Sequence, residues 1–187
     1  MATQPTRLTW DDLLRMPETV QRQEIIDGEL FVTPSPLERH QWVVTCMSAA
    51  FLKVVGDLGG RVYGSPLDVV FDQRNVVEPD GMVFLPEHLD RIRGGYPRAA
   101  PDLAVEVSSP STKGRDRIVK RALYERFGVA EYWIVDLDDE VIEVYALRGG
   151  RYHRPLRFVR GDVVRSEVLV GFAADFDDLV PGGVPGS

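Results

Sequence analysis

The sequence predicts an α/β protein in which helices flank a mixed sheet, and three observations carry that expectation. Apolar residues recur at helical spacing in two stretches, 36–60 and 111–128. Short β-branched runs bounded by Gly, Pro or Asn occupy the segments before, between and after them. No internal repeat or low-complexity block interrupts the pattern.

Length and composition set the limits within which this fold must work. At 187 residues, 44% hydrophobic and 27% charged, the chain fits one globular domain with a single core, expected over residues 1–180. The glycine- and proline-rich end PGGVPGS, 181–187, is expected to be a disordered tail. Neither a long apolar run nor a secretory leader is visible, so a cytoplasmic protein with no membrane segment is expected. Cys46 is the only cysteine, which excludes an internal disulfide and a thiolate metal cluster. A net charge of −7 argues against coating nucleic acid by bulk electrostatics. Basic residues nevertheless gather in KGRDRIVKR (113–121) and in 148–165, so a locally positive face on an acidic body stays possible.

Taken in order, LTWDDLLRMP opens a short helix, with Thr9 as its cap, Asp12 three residues on, and Pro17 as its stop. EIIDGELFV reads as two strands joined at Asp27-Gly28, a pair suited to positive φ. The long helix after Pro36 shows Val43, Met47, Ala50, Phe51, Val54 and Leu58 at helical spacing and ends at Gly59-Gly60. RVYGSPLDVVF, VVEPDGMVFLP and PDLAVEVSS then read as strands. STKGRDRIVKRALYERFG returns to a helix whose apolar face is Ile118, Val119, Ala122, Leu123 and Phe127, closed by Gly128. AEYWIVDLDDEVIEVYAL forms a hairpin turning at its acidic cluster. Residues 158–180 supply one or two edge strands and a helical turn.

Within PDLAVEVSS, alternation sends Leu103, Val105 and Val107 to one face and Ala104, Glu106 and Ser108 to the other. If both faces are covered, an ionised Glu106 costs several kcal/mol or more unless it is paired or metal-bound. On that strand alone, a carboxylate reaching water or an arginine at the strand end explains the sequence equally well. Asp80 follows Pro79 at a bend between strand segments, and a lone Pro-Asp-Gly is ordinary turn chemistry. Two strand-borne carboxylates meeting at one point, however, suit a hard divalent cation such as Mg²⁺. Such an ion would polarise a phosphodiester and acidify an attacking water. Asp116, Lys120 and Tyr124 share one helical stripe, so the Lys120 amine is the candidate cation for that site; an Asp116–Lys120 surface salt bridge is the competing reading. Lys113 is the weaker alternative. Tyr124, Tyr132 and Trp133 read as packing residues.

The blocks EIIDGEL, ERH, VEPDGMVF, PDLAVEVSSPST and DRIVKRALYERFGVAEYWIVD, from about Leu8 to about Leu179, resemble the Uma-type restriction-endonuclease family of the PD-(D/E)XK nuclease superfamily. The resemblance implies a restriction-endonuclease-like, three-layer α/β/α fold around a central mixed sheet. It implies Asp80 and Glu106 as ligands of Mg²⁺ or Mn²⁺, with Lys120 as the third catalytic residue, and a metal-dependent hydrolysis of DNA by a homodimer. Ser108 stands where the superfamily pattern has its lysine, so that lysine would have migrated to the helix as Lys120. Glu24 and His40 match accessory positions, Glu24 as a further cleft acid and His40 as a contact to phosphate or to a metal-bound water. A helix-start histidine bonded to a neighbouring side chain explains His40 as well. The rival function is a nuclease-fold protein that binds nucleic acid or a protein partner without cutting.

Overall fold

The computed structural model describes residues 7–17 and 19–182, so that 183–187 of the expected tail lie outside the described residues. Helix α1 (Trp10–Leu13) leads to the hairpin of β1 (Arg22–Ile26) and β2 (Glu29–Thr33), and then to the long helix α2 (Glu38–Leu58). Strands β3 (Arg61–Gly64), β4 (Val69–Asp72), β5 (Asn75–Val77) and β6 (Gly81–Phe84) follow. A 3₁₀ turn (Pro86–Arg91) and the small hairpin β7 (Ile92–Arg93) and β8 (Tyr96–Pro97) precede β9 (Leu103–Ser108). The next helical segment has three parts: α3 (Lys113–Arg115), a π turn (Asp116–Lys120) and α4 (Arg121–Phe127). The chain then forms β10 (Glu131–Asp136), β11 (Val141–Arg148), β12 (Arg151–Tyr152) and β13 (Leu156–Phe158). It closes with β14 (Val163–Arg165), β15 (Ala173–Asp175) and α5 (Phe176–Leu179).

The central sheet runs β12-β11-β10-β9-β6-β3, with β13 also on β11. It is mixed, because β9 and β10 are parallel while the other pairs are antiparallel. The parallel pair needs a crossover, and the α3–α4 segment supplies it. A second antiparallel sheet, β2-β1-β5-β4, lies apart from the first.

Two cores divide the central sheet by face. On one, α2 and α5 pack Val43, Met47, Phe51, Val55, Phe176 and Leu179 onto Leu103, Val105, Val107 and Trp133. On the other, Leu123 and Tyr124 of α4 meet Ala104, Tyr132 and Ile134, together with Val69 and Val77 of the small sheet. The expected three layers are present, with the second outer layer shared between a helix and a sheet. Both faces of β9 are therefore covered, and all six of its residues are buried.

Local chemistry explains most boundaries. Thr9 and Asp12 form a reciprocal capping box at α1. Asp27 and Gly28 both adopt positive φ, 51° and 82°, in the β1–β2 turn. Two apolar faces differ from expectation. In α2 the buried contact falls on Val55, whereas Leu58 is 54% exposed at the helix end. In the crossover helix Ile118 is 69% exposed, because the π turn directs Asp116 and Lys120 inward in its place. The final segment also differs: β14 and β15 pair with each other and not with the edge of the central sheet. Among the described residues, no helix is long and apolar enough to cross a membrane.

The turn from α2 into β3 is tight. A Cβ on Gly60 would stand 2.6 Å from Val55 Cγ1 and 2.7 Å from the Phe84 carbonyl oxygen. Gly60→Ala is therefore expected to destabilise the fold by about 1–3 kcal/mol, because backbone must shift to admit the methyl group. Thermal unfolding followed by circular dichroism would read this as a lowered midpoint.

Candidate active site

Asp80 stands on the segment by which the chain leaves the small sheet at Val77 and enters the central one at Gly81. Gly81 pairs with Val105 across the antiparallel β6–β9 ladder. Continuing that register by one residue brings Asp80 opposite Glu106. The Val107 N–H donates to Asp80 Oδ2 at 2.7 Å and fixes the carboxylate against β9.

Glu106 points from β9 toward the crossover helix, as alternation along the strand requires. Its Oε1 accepts from Lys120 Nζ and from the Tyr124 hydroxyl, both at 2.7 Å. The same amine lies 2.7 Å from Glu24 Oε1 on β1, and the Lys120 side chain has no exposed surface. Glu24 is equally buried and also accepts the Glu78 N–H at 2.9 Å. His40, in the first turn of α2, places Nε2 3.2 Å from Asp80 Oδ2. Ser108 donates to Asp116 Oδ2 at 2.9 Å.

Asp80, Glu106, Lys120, Glu24 and His40 thus come together, and Ser108 joins them through Asp116. The Asp116–Lys120 salt bridge is absent, because Asp116 is turned to Ser108 instead. Lys113 points elsewhere, to Asp136 and Asp139 at 2.7 and 2.6 Å. A cleft of about 560 Å³ opens beside the cluster, lined among others by Arg22, Arg39, His40, Asp80, Glu106 and Arg115. Lys120 and Glu24 do not line it. They stand behind the Glu106 carboxylate.

Arg22 is the residue that sequence reasoning missed. Its Nη2 donates to Asp80 Oδ1 at 2.5 Å and to Ser65 Oγ at 3.2 Å, and its Nε donates to Glu78 Oε1 at 3.1 Å. Its Nη1 lies 3.9 Å from Glu106 Oε2. The signal was present: residues two apart on a strand share a face, so Arg22 sits beside Glu24. Tyr124 was also readable, one turn after Lys120 on the same stripe, but as a packing residue its hydroxyl carried no flag. It is both packed and bonded.

Electrostatics separates the two acids. Burial pushes the Asp80 carboxyl up, but the contact with His40 and the charge of Arg22 outweigh it and hold Asp80 below the ordinary range. For Glu106, burial dominates over the attraction of Lys120, and the nearby Asp80, Asp116 and Glu24 add to it, so its pKa is pushed up to about 8. Burial acts against the charge of Lys120, yet Glu106, Glu24 and Asp116 raise its pKa above the ordinary value. The amine keeps its proton, and Glu106 is the group that titrates.

Two measurements test this arrangement. Glu106 binds its proton more tightly folded than unfolded, where its pKa is near 4.5. Its contribution to stability is complete below that value and is lost as pH rises through about 8. The Asp80 shift has the opposite sign and is expressed only on acidification below the ordinary carboxylate range, outside this window. Unfolding of the metal-free protein between pH 5 and 9 should show a steeper stability loss for the parent than for Glu106→Gln. Lys120→Met should cost about 3–5 kcal/mol in denaturant unfolding, because it leaves buried carboxylates without their cation.

Comparison with known proteins now adds to this geometry. No curated protein matches the chain. A crystal structure of a protein titled a "putative nuclease belonging to DUF820", from Anabaena variabilis ATCC 29413, is similar with a TM-score of 0.78. The two are 21% identical, and the match covers 92% of this chain and 97% of that one, which shows a shared fold. The model of the Uma2 family, described as "Putative restriction endonuclease", matches residues 10–177, and the chain belongs to that family.

Proposed function

We propose that this protein is a metal-dependent endonuclease that hydrolyses phosphodiester bonds in DNA, acting in the cytoplasm as a homodimer. The observation that carries the reading is the convergence of Asp80 from the β5–β6 connection and Glu106 from β9 on one cleft, with Lys120 of the π turn bonded behind Glu106. Buried carboxylates are costly, and two of them held at the floor of an opening are best explained by chemistry there.

The donor set is compatible with a hard divalent ion. Asp80 Oδ1 and Glu106 Oε2 are turned toward the same cation, the Arg22 guanidinium, and Oε2 has no hydrogen bond among the described residues. No group of three or more His, Cys, Asp or Glu residues among the described residues has metal-binding geometry. Two protein carboxylates are enough for Mg²⁺ or Mn²⁺, which keeps several waters. Asp80 and Glu106 would hold the ion, which when bound supplies Lewis acidity at the phosphate and lowers the pKa of an attacking water.

The chain's own groups do the rest. Lys120 does not line the cleft, so it acts on Glu106: its fixed charge and the Tyr124 hydroxyl hold Oε1 and leave Oε2 toward the opening. His40 and the Val107 N–H orient Asp80. Arg39 and Arg115 on the cleft wall supply positive charge for the phosphate backbone. Glu24 anchors Lys120, and Ser108 holds the π turn through Asp116.

One observation favours a second reading, a nuclease-fold protein that binds nucleic acid or a protein partner without cutting. Arg22 already satisfies Asp80, so the pair is charge-compensated with no ion present. A cleavage assay separates the two. With Mg²⁺ or Mn²⁺, the parent should cut DNA, and Asp80→Asn and Glu106→Gln should each lower the rate by about 10²–10³ or more. Equal cleavage by Glu106→Gln would overturn the assignment. Retained DNA binding with no cleavage and no calorimetric Mn²⁺ affinity would establish the second reading.

A further inference from the structure

We propose that Arg22 is the resident counter-cation of the Asp80–Glu106 pair, and that a divalent ion binds there by displacing its guanidinium. This rests on the metal-dependent reading above and adds to it a residue that sets how readily the ion is taken up.

The contacts divide the work of the guanidinium. Nη2 is on Asp80 Oδ1 and Nη1 faces Glu106 Oε2, which are the oxygens an ion would need. A guanidinium and a divalent cation cannot occupy the same few ångströms between two carboxylates, since like charges at that range repel strongly in a poorly solvated site. One must leave. The two cations of the cluster differ in their freedom to do so. Lys120 has no exposed surface and is wedged between Glu24 and Glu106. Arg22 is 13% exposed by its side chain and lines the cleft, so it has a path outward.

It also has a second seat. Its Nε is bound to Glu78 Oε1, and Ser65 donates to that same oxygen at 2.7 Å. With Nε retained on Glu78, rotation of the outer side chain would release Nη1 and Nη2 from the pair while keeping the charge compensated. Charge count favours the exchange. Even with Glu106 left out of the count, the carboxyl groups of Glu24, Glu78, Asp80 and Asp116 outnumber the permanent cations Arg22, Lys120 and Arg115, leaving the cluster short of positive charge. Arg22 thereby stabilises the metal-free protein and weakens metal binding through the same contact, as linkage requires.

Calorimetric titration with Mn²⁺ tests the proposal on the parent, Arg22→Gln and Arg22→Lys. Arg22→Gln is expected to bind Mn²⁺ about ten- to a hundredfold more tightly than the parent, with Arg22→Lys returning toward it. The metal-free Arg22→Gln protein should melt lower, and Mn²⁺ should raise its midpoint by more than it raises that of the parent. Unchanged or weaker Mn²⁺ affinity in Arg22→Gln, with the parent binding normally, would overturn the displacement while leaving the metal-dependent reading intact. Absence of Mn²⁺ binding in all three proteins would remove both. If Arg22→Gln does not fold, a Mn²⁺-soaked crystal of the parent decides. An ion between the acids with Nη2 withdrawn from Asp80 supports displacement, and an ion with that bond retained refutes it.

Discussion

The amine of Lys120, closed off from water between Glu24 and Glu106, ties together three parts of the chain that share no strand pairing. Glu24 belongs to the small sheet, Glu106 to the centre of the large one, and Lys120 to the crossover helix. Burying such ions costs more than an apolar substitute of similar volume, so the cluster is poorly explained as a device for stability. What it provides is position. Once the amine is fixed, the Glu106 carboxylate has one oxygen occupied and one left toward the cleft, and the small sheet has one place to sit against the helix. The π turn is part of the same constraint. An extra residue in that turn changes which side chains face inward, and Asp116 and Lys120 are turned in while Ile118 is turned out.

The opposite face of the sheet shows how this cost is carried. Phe51, Trp133 and Phe172 pack edge-on or tilted at centroid distances of 5.2–5.7 Å in an apolar cluster, with one buried acid at its edge, Glu131, whose Oε2 accepts from Trp133 Nε1 at 3.0 Å. Strand β9 has an apolar face, Leu103, Val105 and Val107, that anchors it, and a second face, Ala104, Glu106 and Ser108, that carries the proposed site. A strand held only by its functional face would have to offset the desolvation of its own carboxylate. Here the α2 side supplies that stabilisation, and Tyr124 and Tyr132 complete the packing around the acid.

Much of this was legible in the sequence, for identifiable reasons. Alternation along PDLAVEVSS separated the faces of β9 correctly, since a strand's period of two is rigid. Thr9 with Asp12, and Asp27 with Gly28, are local signals whose partners lie within four residues. Asp80 and Glu106 could be paired because Glu106 breaks an apolar strand and Asp80 stands at the bend that leads into its neighbour. The features that were hidden depend on contacts distant in sequence. Arg22 is 58 residues from Asp80, and nothing in an arginine at the start of a strand says which acid it will meet. In the crossover helix Leu123, Val119 and Phe127 pack inward as their spacing predicts, whereas Ile118 and Ala122 are exposed, because a regular 3.6-residue period does not hold across 116–120, where the helix is wider. The position of Lys120 behind Glu106, and not at the cleft surface, likewise needed the small sheet to be in place.

The joint between the two sheets has a consequence of another kind. Only Glu78, Pro79 and Asp80 separate β5 from β6, and little of that span is idle. The Glu78 N–H is held by Glu24, its carboxylate by Arg22 and Ser65, and Asp80 by Val107, His40 and Arg22. A connection used at both ends has no slack. Losing or gaining one residue there would carry Asp80 away from Glu106 without disturbing either sheet, so both layers would fold and the site would not. Loop length at this joint is therefore a gauge that the chain must keep constant, while the turns on the outer edges of the molecule remain free to vary.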